Sequence, residues 1–275
     1  AFGNIIYWLN SATWTLATDG TNGYTIASAP SSVTDSYAGM LGANRILVFA
    51  HIEGYAYKVG SAVWVDEVTI AGATASSVAI KYLAFWDDKL WMISNTGQLY
   101  YSTTLGTETA DALLPLPAGS VTNLFVGPDA MGEPILYVAT TTGLWAHDFA
   151  NSRFVQTSIQ YPYNANAGLA STAFGPSIYI CTGGMGVIEY TPTSNTKRHM
   201  GLDMNDGLPA QCRGVIVELV PSLYELMALV STQDRVDGST AVYGWNEQGW
   251  QVWWRDHQTS ILEGNSGYGD CLFVS

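Results

Sequence analysis

ILYVATTTGLWAHD, residues 135–148, is an apolar run, a polar tip carrying Gly143, and a second apolar run that holds an aromatic residue. Two antiparallel strands joined by a tight turn leave this pattern. The plan recurs in KLWMISNTGQLYYS at 89–102, SIYICTGGMGVIEYT at 177–191 and RILVFAHIEGYAYKV at 45–59. It recurs with a longer tip in LMALVSTQDRVDGSTAVYGW at 226–245. The tip glycines are Gly54, Gly97, Gly143, Gly186 and Gly238. Short hairpin tips need positive φ, which costs a residue with a Cβ about 1 kcal/mol or more, so a glycine is expected at each.

Successive glycines lie 43, 46, 43 and 52 residues apart. That interval fits a four-stranded propeller blade of roughly 40–50 residues and is too long for most solenoid repeats. A third strand is expected after each hairpin, as in AVWVDEV at 62–68, RFVQTS at 153–158 and GWQVWW at 249–254. A small-residue inner strand is expected before it, as in VTNLFVG at 121–127 and LASTAFG at 169–175. The two chain ends each read as half a blade: GYGDCLFVS at 267–275 supplies inner strands, and AFGNIIYWLNSATWTLA at 1–17 supplies outer ones. Joining them closes the count, with 40 positions from Gly238 through Ser275 to Gly3 and 51 from Gly3 to Gly54. A composite final blade also removes the exposed joint a ring of sheets otherwise leaves. The expectation is a single all-β domain, a six-bladed β-propeller of four-stranded blades. The blades span about 32–70, 77–118, 119–162, 168–202, 212–257, and 260–275 with 1–17; the stretches around 18–36 and 192–213 read as connections.

Composition agrees with strands and turns: 275 residues include 28 Gly, 16 Tyr and 10 Trp, and 48% are hydrophobic. Only 10 Lys and Arg oppose 23 Asp and Glu, a formal net charge of −13, which repels nucleic acid and otherwise serves solubility. No stretch reaches the roughly 18 uncharged apolar residues of a membrane span; the best, 214–230, is broken by Glu218, Pro221 and Glu225. The chain opens at Ala1 without a basic, apolar leader, so the reading is a soluble polypeptide that is processed or excised from something longer. Cys181, Cys212 and Cys271 make no CxxC pair and are odd in number, so neither a disulfide framework nor a zinc motif is expected.

Catalytic patterns are sparse. His51, His147, His199 and His257 have no second metal ligand at helical or hairpin spacing, and no GxSxG or GxxxxGK[ST] occurs. GNSGYG at 264–269 reads as a flexible turn, and no propeller-sialidase Asp-box of the S-x-D-x-G-x-T-W type is present. Two acidic turns, one with Asp203, Asn205 and Asp206 and one with Asp234 and Asp237, resemble calcium loops. Their oxygens do not alternate as such a loop requires, which favours plain turn formation. No catalytic residue, metal or cofactor is therefore assigned. Trp245, Trp250, Trp253 and Trp254 are the ligand-binding candidates, able to stack on a sugar ring or anchor a partner. Simple alternation puts Trp250 and Trp254 on one face and Trp253 on the other, and Trp14, Trp64 and Phe154 take similar outer-strand places; packing between blades is thus the competing reading.

LYVATTTGLWAHDFANSRF at 136–154, GVIEYTPTS at 186–194, GLDMNDGLPAQCRGVIVEL at 201–219 and YGWNEQGWQVWWR at 243–255 resemble propeller proteins of tailed bacteriophages and viral metagenomes that occur among tail or virion genes. The DGLP of 206–209 and the LYVAT hairpin are also similar to sensor propellers of two-component regulators, although DGLP occurs once here. The first resemblance implies a non-enzymatic virion component, in a tail or tail tip. Its partners would be other virion proteins or host-surface glycans and proteins, with oligomerisation open. The second implies an extracytoplasmic sensor or carbohydrate-binding propeller. An enzyme acting on polysaccharide is the third reading, with carboxylates drawn from several blades.

Overall fold

The computed structural model describes residues 7–10, 13–16, 33–52, 54–60, 65–67, 70, 78–182, 186–201, 214–221, 226–232, 240–246, 249–255, 261–265 and 270–274. Among the described residues every regular element is a strand, and five four-stranded antiparallel sheets follow one another along the chain. The first holds β3 (Val33–Leu41), β4 (Asn44–His51), β5 (Gly54–Val59) and β6 (Val65–Glu67); the second holds β7 (Ile80–Trp86), β8 (Lys89–Ser94), β9 (Gln98–Thr104) and β10 (Thr107–Leu113). The third is β11 (Val121–Pro128), β12 (Pro134–Thr140), β13 (Gly143–Asp148) and β14 (Arg153–Gln160); the fourth is β15 (Ser171–Phe174), β16 (Ser177–Cys181), β17 (Val187–Thr191) and β18 (Thr196–Gly201). The fifth is β19 (Gly214–Pro221), β20 (Leu226–Thr232), β21 (Thr240–Asn246) and β22 (Gly249–Arg255). Two further pairs stand as two-stranded sheets, β1 (Tyr7–Asn10) with β2 (Thr13–Leu16) and β23 (Ile261–Asn265) with β24 (Asp270–Val274).

Each four-stranded sheet is a meander, and in the second, third and fourth burial falls from the middle to the last strand. Five consecutive residues are buried in β8, Leu90–Ser94, and five in β16, Ser177–Cys181. A strand covered on only one face alternates; a run buried without a break means that both faces are covered by other layers. The last strands β10, β14 and β18 are largely exposed and carry the polar residues.

The chain divides into two compact units, residues 1–124 with 148–154 and residues 125–147 with 155–275. In the first unit, alternate residues of β4 (Ile46, Val48, Ala50) and β8 (Leu90, Met92) meet Tyr55, Ile80, Leu83 and Tyr100 in one apolar cluster. Adjacent sheets are also tied by polar side chains. The Thr34 hydroxyl donates to the Ile80 carbonyl at 2.9 Å, the Leu83 amide donates to Asp35 Oδ2 at 2.7 Å, and the Lys81 ammonium donates to the Val121 carbonyl. Tyr37 stacks on Phe85 at 5.3 Å. Farther out, the buried Tyr55 hydroxyl donates to the Glu108 carboxylate and accepts the Gly106 amide at 2.9 Å. In the second unit, Tyr137 and Ala139 of β12 pack with Ile178 and Ile180 of β16 and with Ile188 and Tyr190 of β17.

Several sequence expectations need correction. The stretch 192–213, read as a connection, contains β18, and β3 begins at Val33 inside the other presumed connection. The outer strand expected at 62–68 is described over Val65–Glu67. Gly97 does hold a positive φ, +85°, but Gly143 does not. Gly143 is needed for space: a Cβ there would lie 2.6 Å from the Ile159 carbonyl oxygen, which is backbone and cannot swing aside.

Gly143→Ala is therefore expected to destabilise the fold by about 1–3 kcal/mol, as overpacking does. A denaturant-unfolding midpoint equal to that of the parent would refute the close-approach argument. A second expectation concerns pH. Burial raises the pKa of Asp35 above its ordinary 3.8, outweighing the Leu83 and Ser36 amide hydrogen bonds that lower it. Between 3.8 and the raised value the folded chain holds a proton that the unfolded chain has released, so this group's stabilising contribution is lost as pH rises through that window. In thermal melts across that range, Asp35→Asn should lose this downward component relative to the parent. Parallel pH profiles for the two proteins would show that Asp35 does not carry it.

Candidate functional site

The fourth sheet puts a ladder of three polar side chains across its two middle strands and its last strand. Register sets Tyr179 of β16 opposite Glu189 of β17, and Glu189 opposite Arg198 of β18. Directly opposed residues share a face, so the three side chains meet without any long-range folding requirement. The Tyr179 hydroxyl donates to Glu189 Oε1 at 3.0 Å, and Arg198 Nη2 donates to Oε2 at 2.7 Å. Both carboxylate oxygens are thus engaged. Burial, and after it the Glu189 charge, pushes Tyr179 up to about 12, so the phenol remains a donor throughout the physiological range.

Toward the turn, Lys197 stands opposite Tyr190, and Thr191 and Thr196 form the opposed pair after that. Together Glu189, Thr191, Thr196, Lys197 and Arg198 line an open recess of about 260 Å³. This is below the roughly 300–1,000 Å³ of drug-sized pockets, so the recess suits one small ring or side chain. Its framework is fixed from behind. Thr191 Oγ1 is 2.8 Å from the Ser177 hydroxyl, and Thr196 Oγ1 is 2.8 Å from that of Ser194. The Lys197 ammonium donates to the Ser158 carbonyl at 2.6 Å, and the Ser158 hydroxyl donates to Asn195 Oδ1 at 2.8 Å, tying β18 to β14.

Of the four tryptophan candidates, Trp245 reaches this place: the Arg198 guanidinium carbon lies 5.6 Å from the centre of its ring, within cation–π range. Trp250 is the register partner of Trp245 on the neighbouring strand. The expectation that Trp250 and Trp254 share a face fails on register. A bulge shifts the pairing, so that Trp254 lies opposite Val242 while Val252 lies opposite Tyr243, and Trp253 is left out of the ladder. The four tryptophans thus do not form one regular row.

Arg198 was missed because 192–213 reads as irregular, and Glu189, inside the recognised hairpin of 177–191, because its partner Arg198 lies on the strand that was not read. TKRHMG lacks apolar alternation, its first four residues being exposed. The usable signals were the period, which demands an outer strand after each hairpin, and the Lys197–Arg198–His199 run in a chain with only 10 Lys and Arg.

His51 and His147 are buried and His199 lies on exposed β18; Cys181 is buried. Cys271 lies on β24 opposite Gly264. His257, Cys212 and the turns with Asp203, Asn205, Asp206, Asp234 and Asp237 lie outside the described residues, as do residues 266–269 of the GNSGYG stretch. Among the described residues no three His, Cys, Asp or Glu side chains come together to hold a metal, and no helix is long and apolar enough to cross a membrane.

A second aromatic group belongs to the first unit. Trp86 stacks on Phe149 at 4.6 Å, Trp91 meets Tyr101 at 5.1 Å, and the Lys89 ammonium sits over both Trp91 and Tyr101. Lys89 also pairs with Asp87 at 2.9 Å. This group already supplies its own cation and holds down the Asp87–Asp88 turn, whose two residues adopt φ of 54° and 52°.

No family model matches the chain, and no curated protein does. Solved structures do. The chain is similar to the extracellular domain of BT4673, described as a one component system of B. thetaiotaomicron, at 14% identity and a TM-score of 0.62, over 90% of this chain and 30% of that one. It is similar to the extracellular domain of the hybrid two component system BT3049 from the same organism, at 13% identity and a TM-score of 0.55, over 88% and 32%. Virginiamycin B lyase from Staphylococcus aureus gives 9% identity and a TM-score of 0.63, over 91% and 77%. The chain spans about a third of the length of the two sensor-system domains. These are β-propeller-like proteins, and the likeness is one of fold: an all-β chain of successive four-stranded antiparallel sheets.

Proposed function

We propose that this chain is an extracellular, non-enzymatic ligand-binding propeller of the kind used in sensing, and that its small-molecule site is the recess on β17 and β18. The observation that carries the reading is the Tyr179–Glu189–Arg198 ladder with Trp245 against the guanidinium. It fixes a donor-rich, acceptor-rich surface beside an aromatic ring, with the Arg198 guanidinium on the exposed last strand β18. The fold likeness to extracellular sensor domains supports the location. The architecture we propose has six blades, the sixth built from β23 and β24 with β1 and β2.

Virion attachment is the second reading. It draws on the resemblance of residues 201–219 and on apolar side chains exposed on outer strands, Leu113 of β10 at 59% and Val155 of β14 at 44%, which suit contacts with other proteins.

A thermal-shift screen over a glycan and small-metabolite library separates the two. On the sensing reading at least one small ligand raises the melting temperature of the parent, and Arg198→Ala removes that shift. A blank screen, with the protein instead copurifying with tail particles, would replace sensing by attachment. The six-blade closure has its own test. Fluorophores attached at Ala1 and Ser275 should show efficient energy transfer that is lost on denaturation, and weak transfer in the native protein would rule out a shared final blade.

A further inference from the structure

Resting on the recess as the ligand site, we infer that it selects a neutral sugar ring over an acidic one, and that Glu189 sets this preference. The argument begins with charge. Arg198 brings one positive charge to the face that carries the ladder, and the Glu189 carboxylate 2.7 Å away cancels it. The other cation of the lining, Lys197, stands opposite Tyr190 rather than opposite a residue of the ladder. Its ammonium is drawn to the Ser158 carbonyl at 2.6 Å. The Glu189–Arg198 pair therefore presents polarity without net charge, while Lys197 leaves one uncancelled positive charge on the lining, inside a chain of net charge −13 that opposes the approach of any anion.

Hydrogen-bonding capacity points the same way. Arg198 spends one N–H on Glu189 and keeps the rest of its fork, with the side chain 60% exposed. Glu189 has accepted one bond on each oxygen and retains lone pairs for more. Thr191 and Thr196 each add a hydroxyl. A fixed acceptor beside a fixed donor matches adjacent hydroxyls, each of which gives one proton and accepts another. A carboxylate ligand offers acceptors only, so it satisfies Arg198 while meeting Glu189 as a like charge. The volume of about 260 Å³ admits one ring and leaves no room for a longer chain within the recess.

The test is calorimetric titration of the full chain with methyl glycosides of galactose and glucose and with the matching methyl uronosides. The parent is expected to bind at least one neutral glycoside more tightly than its uronoside. Glu189→Gln keeps the size of the side chain and uncovers the Arg198 charge. It should reverse the order, losing about ten-fold or more for the neutral ring while gaining for the uronoside. Thr196→Ala, at an exposed position, serves as the variant that keeps its fold, and should weaken the neutral glycoside several-fold without changing the order. A parent that prefers the uronoside, or a Glu189→Gln protein that keeps the parent's order, overturns the inference and leaves sugar binding in place. If no glycoside binds while the wider screen yields another ligand blocked by Arg198→Ala, the inference falls and the sensing reading stands. If neither binds, both fall.

Discussion

A strand that is apolar on both faces must be covered on both, and this constraint governs the rest of the molecule. β8 and β16 bury five successive residues each, so neither sheet can exist with one face in water. Each sheet needs neighbours, and a chain of such sheets needs further sheets in turn. At about 25 cal/mol per Å² of apolar surface, an uncovered sheet face loses more than any hydrogen bond between sheets supplies. The polar ties of the first unit therefore choose among packings rather than drive packing. Thr34 to Ile80 and Leu83 to Asp35 fix where β7 sits along β3. The Tyr55 hydroxyl, held by Glu108 and Gly106, does the same farther out.

Much of this was legible, because the features that specify it are local. A hairpin is written in contiguous residues, so the apolar runs of 89–102, 135–148 and 177–191 announced their strands, and the spacing of their glycines announced the four-stranded sheets. What could not be read depends on neighbours distant in sequence. Gly143 is glycine because Ile159 passes 2.6 Å from its missing Cβ, a fact about β14 that no inspection of the turn reveals. The bulge that leaves Trp253 out of register arises where β22 pairs with β21, and alternation along β22 alone gave the wrong faces. β18 escaped notice for a related reason. As a last strand it has little to bury, and a strand with little to bury carries little of the periodic signal by which strands are found.

The same lack of burial is what makes β18 useful. Inner and middle positions are committed: a change in Ile180 or Met92 leaves a cavity costing about 2–5 kcal/mol. Exposed positions on a last strand tolerate almost any residue, so charged and hydroxylated side chains can gather there without a folding penalty. Their geometry is still precise, because the strand is hydrogen-bonded to β17 and held to β14 through Lys197, Ser158 and Asn195. Glu189 stands on the next strand inward, only 18% exposed, where an unpaired carboxylate would be costly. Tyr179 and Arg198 remove that cost, and in doing so they fix the direction of both charged groups.

The division of labour follows from the gradient of burial across the second, third and fourth sheets. Covered strands supply the free energy that keeps the sheets together, and they offer a ligand only the few side chains, such as Glu189 and Thr191 of β17, that reach the recess. The last strand contributes little to that free energy and presents its side chains to solvent. A substitution at Arg198 or Thr196 should thus change what the recess holds far more than whether the chain folds, whereas one at Gly143 should do the opposite. Stability is written mainly on the covered strands, and the recess is shared between the last strand and Glu189 and Thr191 of its neighbour, joined by the hydrogen-bonded register between β17 and β18.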